Sequence, residues 1–133
     1  MRLIAFTDGG SDGKGEAYIG VLITDLDTGE VLVEHSQALG QGTNNEAEYS
    51  ALIFALYQAE EFGATELRVR SDSKLVVNQI RGEWAVHKDH IGEYVDEALR
   101  AVERLPKFSI EWVPRGQNTR ADALSRVPRP GVK

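Results

Sequence analysis

Four carboxylates, Asp8, Glu48, Asp72 and Asp122, lie in four separated segments of a 133-residue chain: "FTDGG", "NNEAEYS", "VRSDSK" and "TRADALS". Carboxylates gathered without basic partners cannot all stay ionised, because each raises its neighbours' pKa unless cations compensate. Oxygen ligands of this kind suit Mg²⁺, which keeps several of its waters. The chain has no cysteine and three histidines, so thiolate nucleophiles, thiolate metal sites and disulfides are excluded, and any metal chemistry falls to hard oxygen donors and imidazole.

Glu46 and Glu48 stand two apart in a helical pattern, which sets them roughly 200° apart around the axis. Only one can face a sheet. Steps of three, four and seven from Glu48 reach Ala51, Leu52, Ala55, Ala59 and Phe62, the apolar stripe. The same steps from Glu46 reach Ser50, Tyr57 and Glu60, a more polar face. Thr43-Asn44-Asn45-Glu46 fits a capping box, so Glu46 has a sufficient structural task. Glu48 has none, and a carboxylate on a core-facing stripe costs several kcal/mol unless it is paired, protonated or cation-bound.

The other three acids are weak signals taken singly. Asp8 before Gly-Gly is ordinarily a turn residue, Asp72 between a strand and a helix is ordinarily a cap, and Asp122 alone reads as an exposed charge. Their shared arrangement is stronger. Two sit at the ends of the first and fourth strands, one points inward from the helix between them, and one lies on the last helix. If the first and fourth strands are neighbours, the crossover helix brings Glu48 within a few ångströms of both aspartates.

The elements that must position them follow from hydrophobic periodicity. "RLIAFTD", "AYIGVLITD" and "EVLVEHSQA" read as three strands of an antiparallel meander joined by "DGG" and "LDTG" turns. Residues 43–62 read as a helix that Gly63 closes, "TELRVRSD" as a fourth strand, and "SKLVVNQIRG" as a short helix closed by Gly82. "VHKDHIGEYVDEALRAVERL" reads as a helix with Ile91, Val95, Leu99 and Val102 on one stripe, "KFSIEWV" as a fifth strand and "NTRADALSR" as a last short helix. Three hairpin strands, then strand, helices, strand and helix, make an α/β domain. Its sheet is mixed and five-stranded, three antiparallel strands then two parallel, with helices on both faces. Residues 1–126 form one domain and "VPRPGVK", 127–133, a frayed tail.

The longest apolar run, "ALIFALY", is far short of the roughly 20 residues a membrane span needs, and "MRLIAF" lacks the parts of a secretion signal. A soluble cytoplasmic monomer with no membrane partner is expected. The net charge of −6 argues against nucleic acid, but its distribution does not. Residues 1–67 hold two basic side chains against twelve acids, −10, and residues 68–133 hold thirteen against nine, +4. An acidic site beside a basic track would give this asymmetry.

"FTDGGS", "TNNEAEYSALIFAL", "RSDSKLVVNQI" and "NTRADALSR" resemble, in order, the four sequence blocks of type 1 ribonuclease H, over essentially the whole chain. The resemblance implies a ribonuclease H-like fold and assigns Asp8, Glu48, Asp72 and Asp122 as catalytic, metal-binding carboxylates. The implied reaction is two-metal hydrolysis, with two Mg²⁺, or Mn²⁺ in their place, and Asp8 bridging them. The implied substrate is the RNA strand of an RNA–DNA hybrid, cut to leave 5′-phosphate and 3′-hydroxyl ends. Two bound divalent ions would take the net charge from −6 to −2, so the acidic total does not exclude that partner.

Telling RNA from DNA requires groups that answer the 2′-hydroxyl. By the resemblance Asn44 and Asn45, with the Gly9-Gly10 backbone nearby, supply them; the Thr43 hydroxyl and the first-turn amides could hold a phosphate. Trp84 and Lys88 stand where relatives contact the DNA strand. Many relatives carry a longer basic insertion there, so "RGEWAVHKDH" predicts weaker hybrid binding with a shallower salt dependence. Well-known relatives also carry a histidine in a longer loop before the last helix. Here that loop is "VPRGQN", with Arg115 its only charged residue, as in a branch lacking the histidine. His87 and His90 read as exposed polar residues at a helix start, and His35 as ordinary surface.

Two other readings compete. A hybrid-binding module without chemistry would explain the missing histidine and the scant basic extension. A phosphate-binding ATPase would use "DGG" after a strand, but such enzymes close two domains around a nucleotide and 133 residues hold one.

Overall fold

The computed structural model describes residues 1–86 and 91–126. Lys88, His87, His90 and the expected tail at 127–133 lie outside the described residues. The elements run β1 (Arg2–Ser11), β2 (Glu16–Asp25), β3 (Val31–Gln41), α1 (Asn44–Glu61), β4 (Glu66–Ser71), α2 (Lys74–Ile80), α3 (Gly92–Glu103), β5 (Phe108–Trp112), a 3₁₀ turn (Arg115–Gln117) and α4 (Thr119–Leu124). The sheet order is β3-β2-β1-β4-β5, with β1–β2 and β2–β3 antiparallel and β1–β4 and β4–β5 parallel. This is the mixed five-stranded α/β architecture expected from the sequence.

The two faces of β1 part by residue parity. Leu3 and Ala5 are fully buried on the side that α1 covers, while Ile4, Phe6 and Asp8 face α4. Asp8 does not end β1, as the Gly-Gly had suggested. The strand runs on to Ser11, and Asp8 pairs with Gly20 inside the ladder. Asp72 does stand immediately after its strand, between Ser71 and the N-cap Ser73 of α2.

Helix α1 buries Ala51, Leu52, Ala55 and Ala59, the stripe that contains Glu48. Its burial is wider than one stripe, because α1 lies between the sheet and helices α2 and α3, which also bury Tyr49, Ile53 and Leu56. Phe62 departs from expectation. It caps the helix and is 39% exposed. In α3, Ile91 and Val95 are buried as expected, but Leu99 is exposed, and Ala98 and Ala101 make the close contact instead. Small residues there let the α3 backbone approach α1, and a leucine one position round the helix misses the seam. His35 likewise differs from an ordinary surface residue. Its ring stacks on Phe54 of α1, with centroids 4.0 Å apart.

Candidate active site

Two glycines decide how closely helices approach the middle of the sheet. A Cβ on Gly9 would lie 2.3 Å from the Ala47 carbonyl carbon and 2.6 Å from the Glu48 amide nitrogen, so only glycine lets the start of α1 rest on β1. On the opposite face, a Cβ on Gly20 would lie 2.2 Å from the Ala121 carbonyl oxygen, and α4 rests there directly. Asp8, the residue before Gly9 and the ladder partner of Gly20, is thereby enclosed between the ends of both helices. Asn118 fixes the start of α4, its Nδ2 donating to the Thr7 carbonyl at 2.9 Å.

Asp8, Glu48 and Asp72 converge. Each offers one carboxylate oxygen such that all three lie within 4.8 Å of one another. Glu48 does face inward, as its stripe required, and its Oε1 accepts from the Gly9 amide at 3.0 Å. Glu46 closes the capping box, accepting from the Thr43 amide at 2.8 Å while Thr43 Oγ1 accepts from the Glu46 amide at 3.1 Å. The two glutamates therefore divide as their spacing demanded.

Burial is the chief cause that pushes Asp8 up to about 7, followed by the charge of Asp72 and then by a hydrogen bond and charge from Asp122. Glu48 is pushed up to about 9, again first by burial and then by Asp8 and Asp72, with the Gly9 amide and Arg115 opposing. Protons or cations must balance this cluster. Among the described residues Arg115 reaches the trio, its Nε 3.7 Å from Asp72 Oδ2, and it is largely exposed. Asp122 stands outside the trio, close to Asp8 and with its Oδ1 3.3 Å from Arg126. Ser125 links the two aspartates, its Oγ 2.7 Å from the Asp122 carbonyl and 3.3 Å from Asp8 Oδ2.

Residues 6–127 match the family model described as "Reverse transcriptase-like". Ribonuclease HI of Halobacterium salinarum is 38% identical over 93% of this chain and 62% of its own length. The crystal structure of RNase H1 from that archaeon superimposes with a TM-score of 0.90 at 37% identity, covering 96% of each chain. The chain belongs to the ribonuclease H family. The "Bifunctional protein Rv2228c" of Mycobacterium tuberculosis is 44% identical over 94% of this chain, which spans only 35% of that protein. LC11-RNase H1, solved in complex with an RNA/DNA hybrid, gives a TM-score of 0.85 at 40% identity, covering 92% of this chain and 93% of that one. Among the described residues of this ribonuclease H domain, no helix is long and apolar enough to cross a membrane.

The remaining expected contacts of the ribonuclease H domain are distributed unevenly. Asn44 sits beside the Gly10-Ser11 backbone, its Oδ1 accepting from the Ser11 amide at 2.7 Å and the Ser11 hydroxyl at 3.2 Å. That orientation turns the Asn44 NH₂ away from Ser11 as a donor. Asn45 and Thr43 are exposed in the same first turn. Trp84 lies beyond α2 and is 47% exposed, its amide donating to the Asn78 carbonyl. Gly20, Asn118 and Ser125 escaped the sequence reading. Ser125 had a signal, since it follows Asp122 by three in a helical segment; Gly20 had none, because what demands it is a helix that arrives a hundred residues later.

Proposed function

We propose that this domain hydrolyses the RNA strand of RNA–DNA hybrids in a divalent-metal-dependent reaction that leaves 5′-phosphate and 3′-hydroxyl ends. The observation that carries the proposal is the convergence of Asp8, Glu48 and Asp72 carboxylate oxygens within 4.8 Å of one another. An all-oxygen donor set, with two members held near or above neutral first by burial and then by their acidic neighbours, fits a hard cation such as Mg²⁺. Two such ions would supply the activation of the attacking water and the stabilisation of the leaving 3′ oxygen. Mn²⁺ would take the same ligands.

Asp8, Glu48 and Asp72 hold the metal in this reading, and Asp122 completes the set from α4. Asp8 would be the carboxylate shared by the ions, a role supported by its position beside Glu48 and Asp72 on one side and Asp122 on the other. Asn44 presents its NH₂ toward the RNA 2′-hydroxyl, and Asn45 with the Gly9-Gly10 backbone lines the same edge. The Thr43 hydroxyl accepts from Glu46 within the cap and keeps its proton for a substrate phosphate. Arg115 meets a backbone phosphate in this reading, supported by its exposure and its long contact with Asp72. Trp84 and Lys88 contact the DNA strand. The complex of LC11-RNase H1 with an RNA/DNA hybrid supports the choice of substrate. The domain acts as a cytoplasmic monomer built from residues 1–126.

The test is cleavage of a strand-labelled hybrid with Mg²⁺ or Mn²⁺ by the wild type, Asp8→Asn and Glu48→Gln. Cutting of the RNA strand by the wild type alone is expected; equal activity in all three refutes the assignment. Tight hybrid binding by the wild type without metal-dependent cutting would favour a binding module, the reading suggested by the loop that lacks a histidine.

A further inference from the structure

The three converging carboxylates are not held alike. Asp8 lies within the β1 ladder opposite Gly20, and Glu48 within α1, where Gly9 donates to it. Asp72 has neither support. It falls between the last residue of β4 and the N-cap of α2, in a two-residue link where no ladder or helix fixes its backbone. The neighbouring bonds bracket it without holding it: Val113 donates to the Ser71 carbonyl at 2.9 Å, and the Ser73 amide donates to Ser71 Oγ at 3.1 Å.

Trp112, the last residue of β5, reaches this link. Its indole Nε1 donates to the Asp72 carbonyl at 3.2 Å. The ring is 41% exposed, and the Lys74 ammonium lies 4.8 Å from its centroid. The ladder with Ser71 fixes its backbone, and two polar contacts orient the ring, one with the residue of the site and one with the first residue of α2.

We propose that Trp112 is a positioning residue for Asp72, its indole N–H fixing the backbone of the one converging carboxylate that no helix or strand fixes. Lys74 presses the ring from its outer face and keeps the N–H aimed. The Asp72 carboxylate itself has only the long contact of 3.7 Å from Arg115, and metal affinity depends on the restraint of such ligands by outer hydrogen bonds. The inference rests on the metal-dependent reading above.

The experiment measures Mn²⁺ binding to the full chain without hybrid, by calorimetry and by the paramagnetic resonance of the ion, for the wild type, Trp112→Phe, and a variant carrying benzothienylalanine at position 112. The last replaces only the N–H by sulfur and keeps the ring, so it serves even if the phenylalanine variant folds poorly. Both variants are expected to bind Mn²⁺ roughly tenfold more weakly. Cleavage should fall at low Mg²⁺ and recover at high Mg²⁺, with KM for the hybrid unchanged. Wild-type Mn²⁺ affinity in both overturns the proposal, as does a raised KM with metal affinity intact, which would make the indole a substrate contact. A loss confined to Trp112→Phe overturns it too, because the ring and not its N–H would then matter. Asp8→Asn separates the two levels: if it binds Mn²⁺ like the wild type, the metal reading of the whole site fails, whereas loss of binding in Asp8→Asn with normal binding in both Trp112 variants removes the positioning role alone.

Discussion

Asp8 and Glu66 are equally hidden residues of adjacent parallel strands, 5% and 6% exposed, yet they have opposite electrostatic surroundings. Glu66 begins β4, its Oε2 2.8 Å from Arg68 Nε and its Oε1 3.6 Å from an Arg2 nitrogen. Those partners, the Arg68 hydrogen bond first, hold its carboxyl below the usual range. Asp8 lies toward the other end of the sheet among Glu48, Asp72 and Asp122, and is pushed up to about 7. The arginine-rich β4 supplies Arg68 and Arg70 to the outer face, where Arg70 pairs with Glu111. Where the task is to hold strands together, the fold pairs an acid with a cation; where the acids are left mainly to one another, protons or a cation from solution must balance them.

That contrast can be broken most forcefully at Asp8 and Glu48. Asp8→Asn or Glu48→Gln should reduce hybrid cleavage by about a thousandfold or more while leaving the circular dichroism spectrum unchanged. Glu66→Gln, under the same assay, should cut at the wild-type rate. A comparable loss in Glu66→Gln would dissolve the distinction between the two ends.

Gly9→Ala tests whether the close approach of α1 creates the acidic end. The added methyl meets Ala47 backbone that has no free side chain to move aside, so α1 must shift, at a cost of about 1–3 kcal/mol. A chemical-denaturation midpoint lowered accordingly, together with weaker Mn²⁺ binding, is the expected result. Unchanged stability and binding would mean that α1 does not need this contact.

Acidity offers a subtler break. A carboxyl whose pKa is higher folded than unfolded binds more protons in the folded state, so its contribution is full below its unfolded pKa and is lost as pH rises. Without divalent ions, melting temperature should therefore fall from about pH 4 upward, through about 7 for Asp8 and about 9 for Glu48. Asp8→Asn should raise the metal-free melting temperature at pH 8 by roughly 5 °C, even as it lowers cutting. Added Mg²⁺ should stabilise the wild type more as pH rises, because binding displaces protons. A metal-free melting curve independent of pH across this range would contradict the buried repulsion on which the site depends.

The smallest effect belongs to Glu66 itself. Its partners Arg2 and Arg68 are about two-fifths exposed, so the pairs are screened by water and salt. Glu66→Gln should lower the melting temperature by a few degrees at most, with the difference shrinking as salt is raised.

Much of the arrangement was legible before any coordinates. The change from period two to helical spacing at residue 43, the capping box at Thr43 and Glu46, and the inward aim of Glu48 are local properties, carried by side-chain geometry within one element. They reappear in the structure with the same residues. Misreadings fell where a neighbour from far along the chain decides. Asp8 looked like the end of β1 because Gly-Gly punctuates turns, but β2 continues the ladder past it to Ser11. Leu99 looked like core because it is apolar and in phase with Val95, but the α1–α3 seam is narrow and takes alanine.

The sequence by itself determined the element types, the absence of thiol chemistry, and which of two glutamates two positions apart could enter a core, since these depend on composition and on the fixed pitch of a helix. Only the tertiary structure decided that β1 and β4 are neighbours, that Gly9 and Gly20 admit a helix on each face, and that the Trp112 indole reaches the Asp72 carbonyl. Those facts depend on distances between residues tens to more than a hundred positions apart, and no local periodicity encodes such distances.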